Sequence, residues 1–234
     1  MMPTYHMATM PPRIEALKDS IPSILHQCEH LYIYLNNFNG YLPDVLKHGK
    51  ITPFFSEDLL GDLGDVGKFF LCDTWQPGYH FTVDDKIIYP RDYSKYMIAK
   101  IEEYNRKAAV SLHGRNFHKR KCKSYYFDCK QTFNCFLSET QQFVHEIGTG
   151  VMAFHSDTFM PSINWFPLTN MTDILLSAQL QRLSIPMLMA EHKRGYIRRS
   201  KRHNDNYSIH ASCNKKDTIQ TEFVNSTRWR KLSL

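Results

Sequence analysis

The densest chemistry in the sequence lies in Phe81-Thr82-Val83-Asp84-Asp85-Lys86-Ile87-Ile88-Tyr89-Pro90. An apolar strand ending in consecutive acids delivers carboxylates to its carboxyl end, the edge at which open α/β sheets bind ligands. Carboxylate oxygens there can hold Mg²⁺ or Mn²⁺ against a diphosphate, which makes Asp84 and Asp85 candidate metal ligands. Two turn acids ahead of a helix are the alternative. Side chains alternate along a strand, so Asp84 and Lys86 are expected on one face and Asp85 on the other. An ammonium on that face repels a divalent ion at about 4 Å. Two arrangements stay open: a metal with Lys86 turned to the diphosphate, or basic groups in place of a metal.

His155 and His192, each near a strand end, are further candidates for metal or phosphate contact, although such histidines are commonly satisfied polar residues. His113, His118, Cys122, Cys129 and Cys135 fit no compact zinc spacing. The six cysteines, none in a C-x-x-C pair, fit reduced thiols. With no apolar leader and no membrane-length run, they point to a cytoplasmic protein. The formal charge of +6 divides unevenly: +5 from Arg115 to Lys130, +6 from Lys193 to Arg202, and an acidic remainder. Such segments suit phosphate groups, nucleic acid or a lipid surface, and equally a solvated loop. No motif for reading base edges accompanies them, so nucleic-acid binding stands as the alternative from another class.

The elements that must position these groups follow from periodicity. A chain of 234 residues, 42% hydrophobic, is sized for one compact domain. Ile14, Leu17, Ile21, Ile24 and Leu25 predict a helix over Pro12 to Gln27, with Thr9 as its cap. Strands are expected at Leu31 to Leu35, Ile51 to Phe55, Tyr79 to Val83 and Ala108 to Leu112, with a helix over Arg91 to Asn105. The rhythm resumes with strands Val144 to Ile147 and Val151 to His155, helix Asn170 to Leu183 and strand Pro186 to Glu191. This alternation predicts an α/β domain with a mostly parallel central sheet flanked by helices. Residues 115–140 read as an excursion at the sheet edge, and 194–234 as a basic, flexible tail.

Six blocks then fall in order along residues 7–193. They are Ala8-Thr9-Met10-Pro11-Pro12-Arg13; Tyr32-Ile33-Tyr34-Leu35-Asn36; Gly61-Asp62-Leu63-Gly64-Asp65-Val66-Gly67-Lys68-Phe69; Asp84-Asp85 with Tyr89-Pro90; Gly148-Thr149-Gly150 with Ala153-Phe154-His155; and Asn170-Met171-Thr172-Asp173-Ile174. This order resembles small GT-A fold glycosyltransferases encoded by chlorella viruses and bacterial polysaccharide loci. The resemblance implies a nucleotide-sugar donor, commonly a UDP-sugar, a Mn²⁺ or Mg²⁺ ion on the Asp motif, and a glycan or glycoconjugate hydroxyl as acceptor. Thr9, Arg13 and Asn36 would sit beside the nucleotide, where a helix N-terminus with an adjacent Arg suits phosphate. Asp62, Asp65 and Lys68 would approach base, ribose or phosphate, with Asp84, Asp85, Lys86, Gly148 and Thr149 completing the donor side. Asp173, near a helix N-terminus, matches the acid facing the acceptor and is the candidate general base or charge stabiliser. Lys193 to Arg202 becomes a candidate diphosphate or acceptor clamp, while Arg115 to Lys130 gains no role. The family pattern has a third acid where Lys86 stands, so a nucleotide-sugar-binding protein without turnover is the nearest alternative.

Overall fold

The structure is a computed structural model that describes residues 2–204 and 217–234. The chain opens with β1 (Thr4–Thr9), α1 (Ile14–Leu25), β2 (His30–Leu35) and β3 (Ile51–Phe55). It continues through β4 (Tyr79–Asp84), β5 (Ile87–Ile88), α2 (Tyr93–Glu103), β6 (Ala109–Ser111), β7 (Gly114–Phe117) and β8 (Lys130–Phe133). After β9 (Gln142–Phe143), β10 (Glu146–Ile147) and β11 (Val151–His155) come α3 (Thr172–Arg182), β12 (Met187–Met189), β13 (Arg198–Arg199) and α4 (Thr218–Ser226).

Among the described residues, eight strands form the main sheet in the order β3-β2-β1-β4-β11-β6-β12-β9. Neighbours β3, β2, β1 and β4 are parallel, as are β6 and β12, whereas β11 and β9 run against their neighbours. The fold is therefore the expected α/β domain with a mostly parallel sheet. Period-two alternation splits the strand residues between two cores. Tyr5, Met7, Val83, Val151 and Ala153 pack with Leu17 and Ile21 of α1 and Met97 and Ile101 of α2. Met152, Phe154, Met187 and Met189 pack on the other face with Leu175 and Leu176 of α3 and Val224 of α4.

From β1 the chain steps outward through β2 to β3, then returns to lay β4 on the opposite side of β1. That reversal leaves a crevice at the carboxyl ends of β1 and β4, where open sheets take ligands. Strand β11 borders β4 but runs antiparallel to it, so its amino end, after Gly148-Thr149-Gly150, reaches the crevice.

Four expectations need correction. Thr9 does not cap the first helix: it ends β1, and Pro11–Arg13 form a 3-10 turn behind Met10 with no side-chain cap. Of the expected strand Val144 to Ile147 only Glu146–Ile147 is strand, as β10; β9 precedes it in a different sheet, with Val144 and His145 between the two. The expected tail is ordered over its described parts. Strand β13 pairs with β5, and α4 is amphipathic enough to bury Gln220, Thr221 and Val224; the remainder, 205–216, lies outside the described residues. Finally, Cys122 and Cys129 form a disulfide rather than thiols, because the fold brings together two cysteines whose spacing carries no motif. Cys28, Cys72 and Cys135 are free and buried, and Cys213 lies outside the described residues. Among those residues no helix is long and apolar enough to cross a membrane.

Candidate functional site

A cleft of about 630 Å³ opens over the β1/β4 crevice, a size suited to a small-molecule ligand. Thr9 from the end of β1 donates its hydroxyl to Asp85 Oδ2 at 2.8 Å, joining the two strand ends. Strand β4 stops at Asp84, and Asp85 and Lys86 form a turn. The strand alternation thus ends one residue early, and Asp84, Asp85 and Lys86 all line the cleft instead of dividing between two faces. Lys68 Nζ lies 2.8 Å from Asp84 Oδ1, and Lys86 Nζ lies 3.9 Å from Asp84 Oδ2. Burial disfavours the charged carboxylate of Asp84, but Lys68 and Lys86 outweigh it and hold its pKa well below the usual range. At Asp85 burial wins over the attraction of Arg13 and pushes the pKa up.

Two glycines make this approach feasible. A Cβ on Gly150 would stand 2.5 Å from Asp84 Oδ2, and one on Gly148 would stand 2.8 Å from the His113 side chain. Tyr89 fastens the arrangement, donating its hydroxyl to the Gly150 carbonyl at 2.6 Å and accepting from Asp84 N at 2.8 Å.

The Gly61–Lys68 turn is held over the cleft by Asn36. Its amide donates to the Thr9 and Gly64 carbonyls at 3.3 and 3.0 Å and accepts from Leu63 N at 3.0 Å. Asp65 lines the cleft but is committed to the start of α3, accepting from Asn170 N at 2.6 Å and from the Thr172 hydroxyl and amide. Asp62 does not reach the cleft lining; it caps Gly64 N at 2.8 Å and accepts from the Asn37 amide.

Across the cleft, Asp173 Oδ1 accepts from Thr149 N and Oγ1 at 2.8 and 2.7 Å, and Oδ2 lies 3.1 Å from Arg115 NH1. Burial opposes ionisation, yet Arg115 and the Thr149 donors hold the Asp173 pKa below the ordinary value. Such a carboxylate stays ionised and is a weak proton acceptor, which suits charge stabilisation better than base catalysis. Arg115 also pairs with fully buried Glu146, whose Oε1 accepts from Tyr125 OH at 2.6 Å. Lys130 places Nζ 3.2 Å from the Tyr125 ring centroid. Burial, with Arg115 beside it, lowers the Lys130 pKa to about 7.

Of the sequence candidates, Thr9, Arg13, Asn36, Asp65, Lys68, Asp84, Asp85, Lys86, Gly148, Thr149 and Asp173 come together around this cleft. His192 does not join them: its Nδ1 and Nε2 lie 2.9 and 3.4 Å from the carbonyls of Ala190 and Asn134. His155 is at the far edge of the sheet beside Tyr79, because β11 runs antiparallel and its carboxyl end points away from the crevice. Sequence reasoning missed His113, Arg115, Tyr125 and Lys130 as lining groups. A signal existed for the first two, which directly follow the carboxyl end of the expected strand Ala108 to Leu112. From Lys193 to Arg202, Arg199 is the residue that lines the cleft.

A divalent metal does not fit the acids as they stand. Each Asp84 oxygen faces a lysine ammonium, and Asp85 is engaged by Thr9. Among the described residues no group of three His, Cys, Asp or Glu side chains converges on a metal-sized site.

No family model matches the chain. None of the curated proteins matches it either. Among solved structures it is similar to the crystal structure of S. aureus TarS 1-349, with a TM-score of 0.56 and 12% identity. The similarity covers 86% of this chain and 60% of that one, so the chain spans less than two thirds of TarS 1-349. A likeness at this identity speaks for architecture alone: the chain shares the architecture of TarS 1-349, a GT-A-like α/β domain with a mostly parallel central sheet.

Proposed function

We propose that the chain transfers a sugar from a nucleotide-sugar donor, a UDP-sugar in this reading, to a hydroxyl of a glycan or glycoconjugate. The observation that carries the reading is a single cleft at the strand-order reversal, with the Asp84–Lys86 turn and Arg13 on one wall and Asp173 on the other. In the reaction the bond from the sugar's anomeric carbon to the diphosphate oxygen breaks. The acceptor oxygen bonds to that carbon and its proton passes to solvent water, while the diphosphate oxygen leaves with the electron pair of the broken bond. Arg13 and Lys86 face the departing diphosphate, where fixed positive charge lowers the barrier. Asp173, held ionised by Thr149 and Arg115, stabilises positive charge developing at the anomeric carbon.

A thermal-shift panel of nucleotide sugars tests this directly, because a ligand that binds only the folded chain raises its melting temperature. Donor-selective stabilisation is expected, together with sugar transfer to a glycan acceptor. Asp173→Asn is expected to lower kcat about 100-fold or more while leaving donor affinity within about threefold. If no nucleotide sugar shifts the melting temperature, the reading fails. Binding without transfer or donor hydrolysis would favour a nucleotide-sugar-binding protein instead.

A further inference from the structure

We propose that Lys86 and Arg199, backed by Arg13, hold the donor diphosphate in place of a divalent metal ion. This rests on the nucleotide-sugar reading and goes beyond it by adding Arg199 to the groups at the diphosphate and by having them do the work of a divalent metal. The two lysines at Asp84 differ in kind. Lys68 is 5% exposed and makes a 2.8 Å contact, so it is committed to Asp84. Lys86 is 25% exposed, with Nζ at 3.9 Å, outside hydrogen-bond range. A small rotation of its flexible stem carries that ammonium from the carboxylate to a ligand oxygen.

The C-terminal segment is strapped to the same turn. Arg199 pairs with Ile87 in the β13–β5 ladder, and Ser200 N donates to the Lys86 carbonyl at 2.8 Å. The strap is fixed from outside the cleft, where Ser200 Oγ donates to Asp19 Oδ2 at 2.7 Å and Arg202 lies 3.4 Å from the same carboxylate. Its position brings the Arg199 side chain into the cleft lining beside Lys86, while its guanidinium lies 4.9 Å from the Phe136 ring centroid. Exchanging a carboxylate for an ammonium at position 86 changes the local charge by two units, which is the charge of one divalent ion. A diphosphate therefore meets the same charge balance with Lys86 and no metal as it would with an acid at 86 and a metal bound.

The test is calorimetric titration of UDP and UMP into the full chain, with Mn²⁺ or with EDTA. UDP affinity of the wild type is expected to change less than about threefold between the two conditions. Lys86→Ala should weaken UDP about tenfold or more, and UMP, which lacks the outer phosphate, much less. Arg199→Ala should act in the same direction. Lys86→Asp should lose metal-free UDP binding and regain it with Mn²⁺. Circular dichroism confirms folding of each variant, and the wild-type comparison needs no variant at all. Wild-type UDP binding that tightens about tenfold or more with Mn²⁺, or a Lys86→Ala variant that binds UDP as the wild type does, overturns the inference alone. If neither UDP nor ADP, CDP and GDP bind under either condition, the nucleotide-sugar reading falls and takes the inference with it.

Discussion

The two walls of the cleft are built in different ways. The donor wall hangs on the ends of adjacent parallel strands, and its least committed cation is Lys86, partly exposed and loosely paired. The opposite wall is a short-range network in which Arg115 on β7 and Glu146 on β10, both in the small antiparallel sheet β10-β7-β8, join Tyr125 and Thr149 from loops and Asp173 from the start of α3. Along that sheet Arg115 stands opposite both Glu146 and Thr132, so register alone sets the cation between two strands' side chains. Helix α4 braces it from far away in sequence: Tyr125 N donates to Thr221 Oγ1, and Asn225 exchanges hydrogen bonds with the Cys122 backbone. One wall carries a cation with a loose, partly exposed contact, whereas the charges of the other are paired at short range.

The sharpest way to break this contrast is to remove a charge from each wall. Arg115→Met takes the ion-pair partner from fully buried Glu146 and from partly buried Asp173, and is expected to lower stability by about 3–5 kcal/mol in urea denaturation. Lys86→Met removes a partly exposed charge whose ion pair with Asp84 is a loose 3.9 Å, and is expected to change stability by less than about 1 kcal/mol. Equal losses would mean that the walls are not differently built.

Lys130 offers a test of the opposite wall through pH. Its pKa in the folded chain, about 7, lies below that of an unfolded lysine. Between those values the unfolded chain binds more protons, so stability attributable to this group rises with pH. The penalty is complete below pH 7 and is relieved as pH climbs towards 10. The slope is at most about 1.4 kcal/mol per pH unit. The stability difference between wild type and Lys130→Met should show that slope, and a flat difference from pH 7 to 10 would remove Lys130 from the buried network. Next in size is the disulfide. Cys122 and Cys129 are seven residues apart, and breaking so short a loop is expected to cost about 2 kcal/mol. The Cys122→Ser/Cys129→Ser double variant should lose that stability while UDP affinity, set by the other wall, stays within about threefold.

Legibility from sequence divides along the same line. The donor wall was readable because its residues sit at the ends of strongly patterned strands, where chain order and strand ends suffice to place Thr9 and Asp84. The opposite wall was not, since Arg115 acquires its meaning only from a register with Glu146 that is 31 residues away. The short strands β7, β8 and β10 carry too few residues for a period-two signal, and basic composition over 115–130 reads as solvated loop whether or not it is. His155 shows the converse failure. A strand was correctly expected there, but its direction was not legible, and direction decides which end faces the ligand. Asp85 fails by one residue, because alternation predicts its face only while the strand continues.

The smallest expected effect bears on how finely the resemblance can be carried over. Asp62 and Asp65 belong to one block and were given one role, yet Asp65 lies on the cleft while Asp62 is outside its lining. Asp62→Ala deletes a cap on Gly64 N and a contact with Asn37, both exposed, and leaves Asn36 holding the turn through Leu63 and Gly64. Donor affinity by calorimetry should therefore stay within about twofold, the range of an ordinary surface substitution. Asp65→Ala, which frees the Asn170 and Thr172 amides at the start of α3, should move the same measurement further. If Asp62→Ala weakens the donor more than Asp65→Ala, the nucleotide extends over the rim of the Gly61–Lys68 turn, and the donor wall is larger than the cleft that encloses it here.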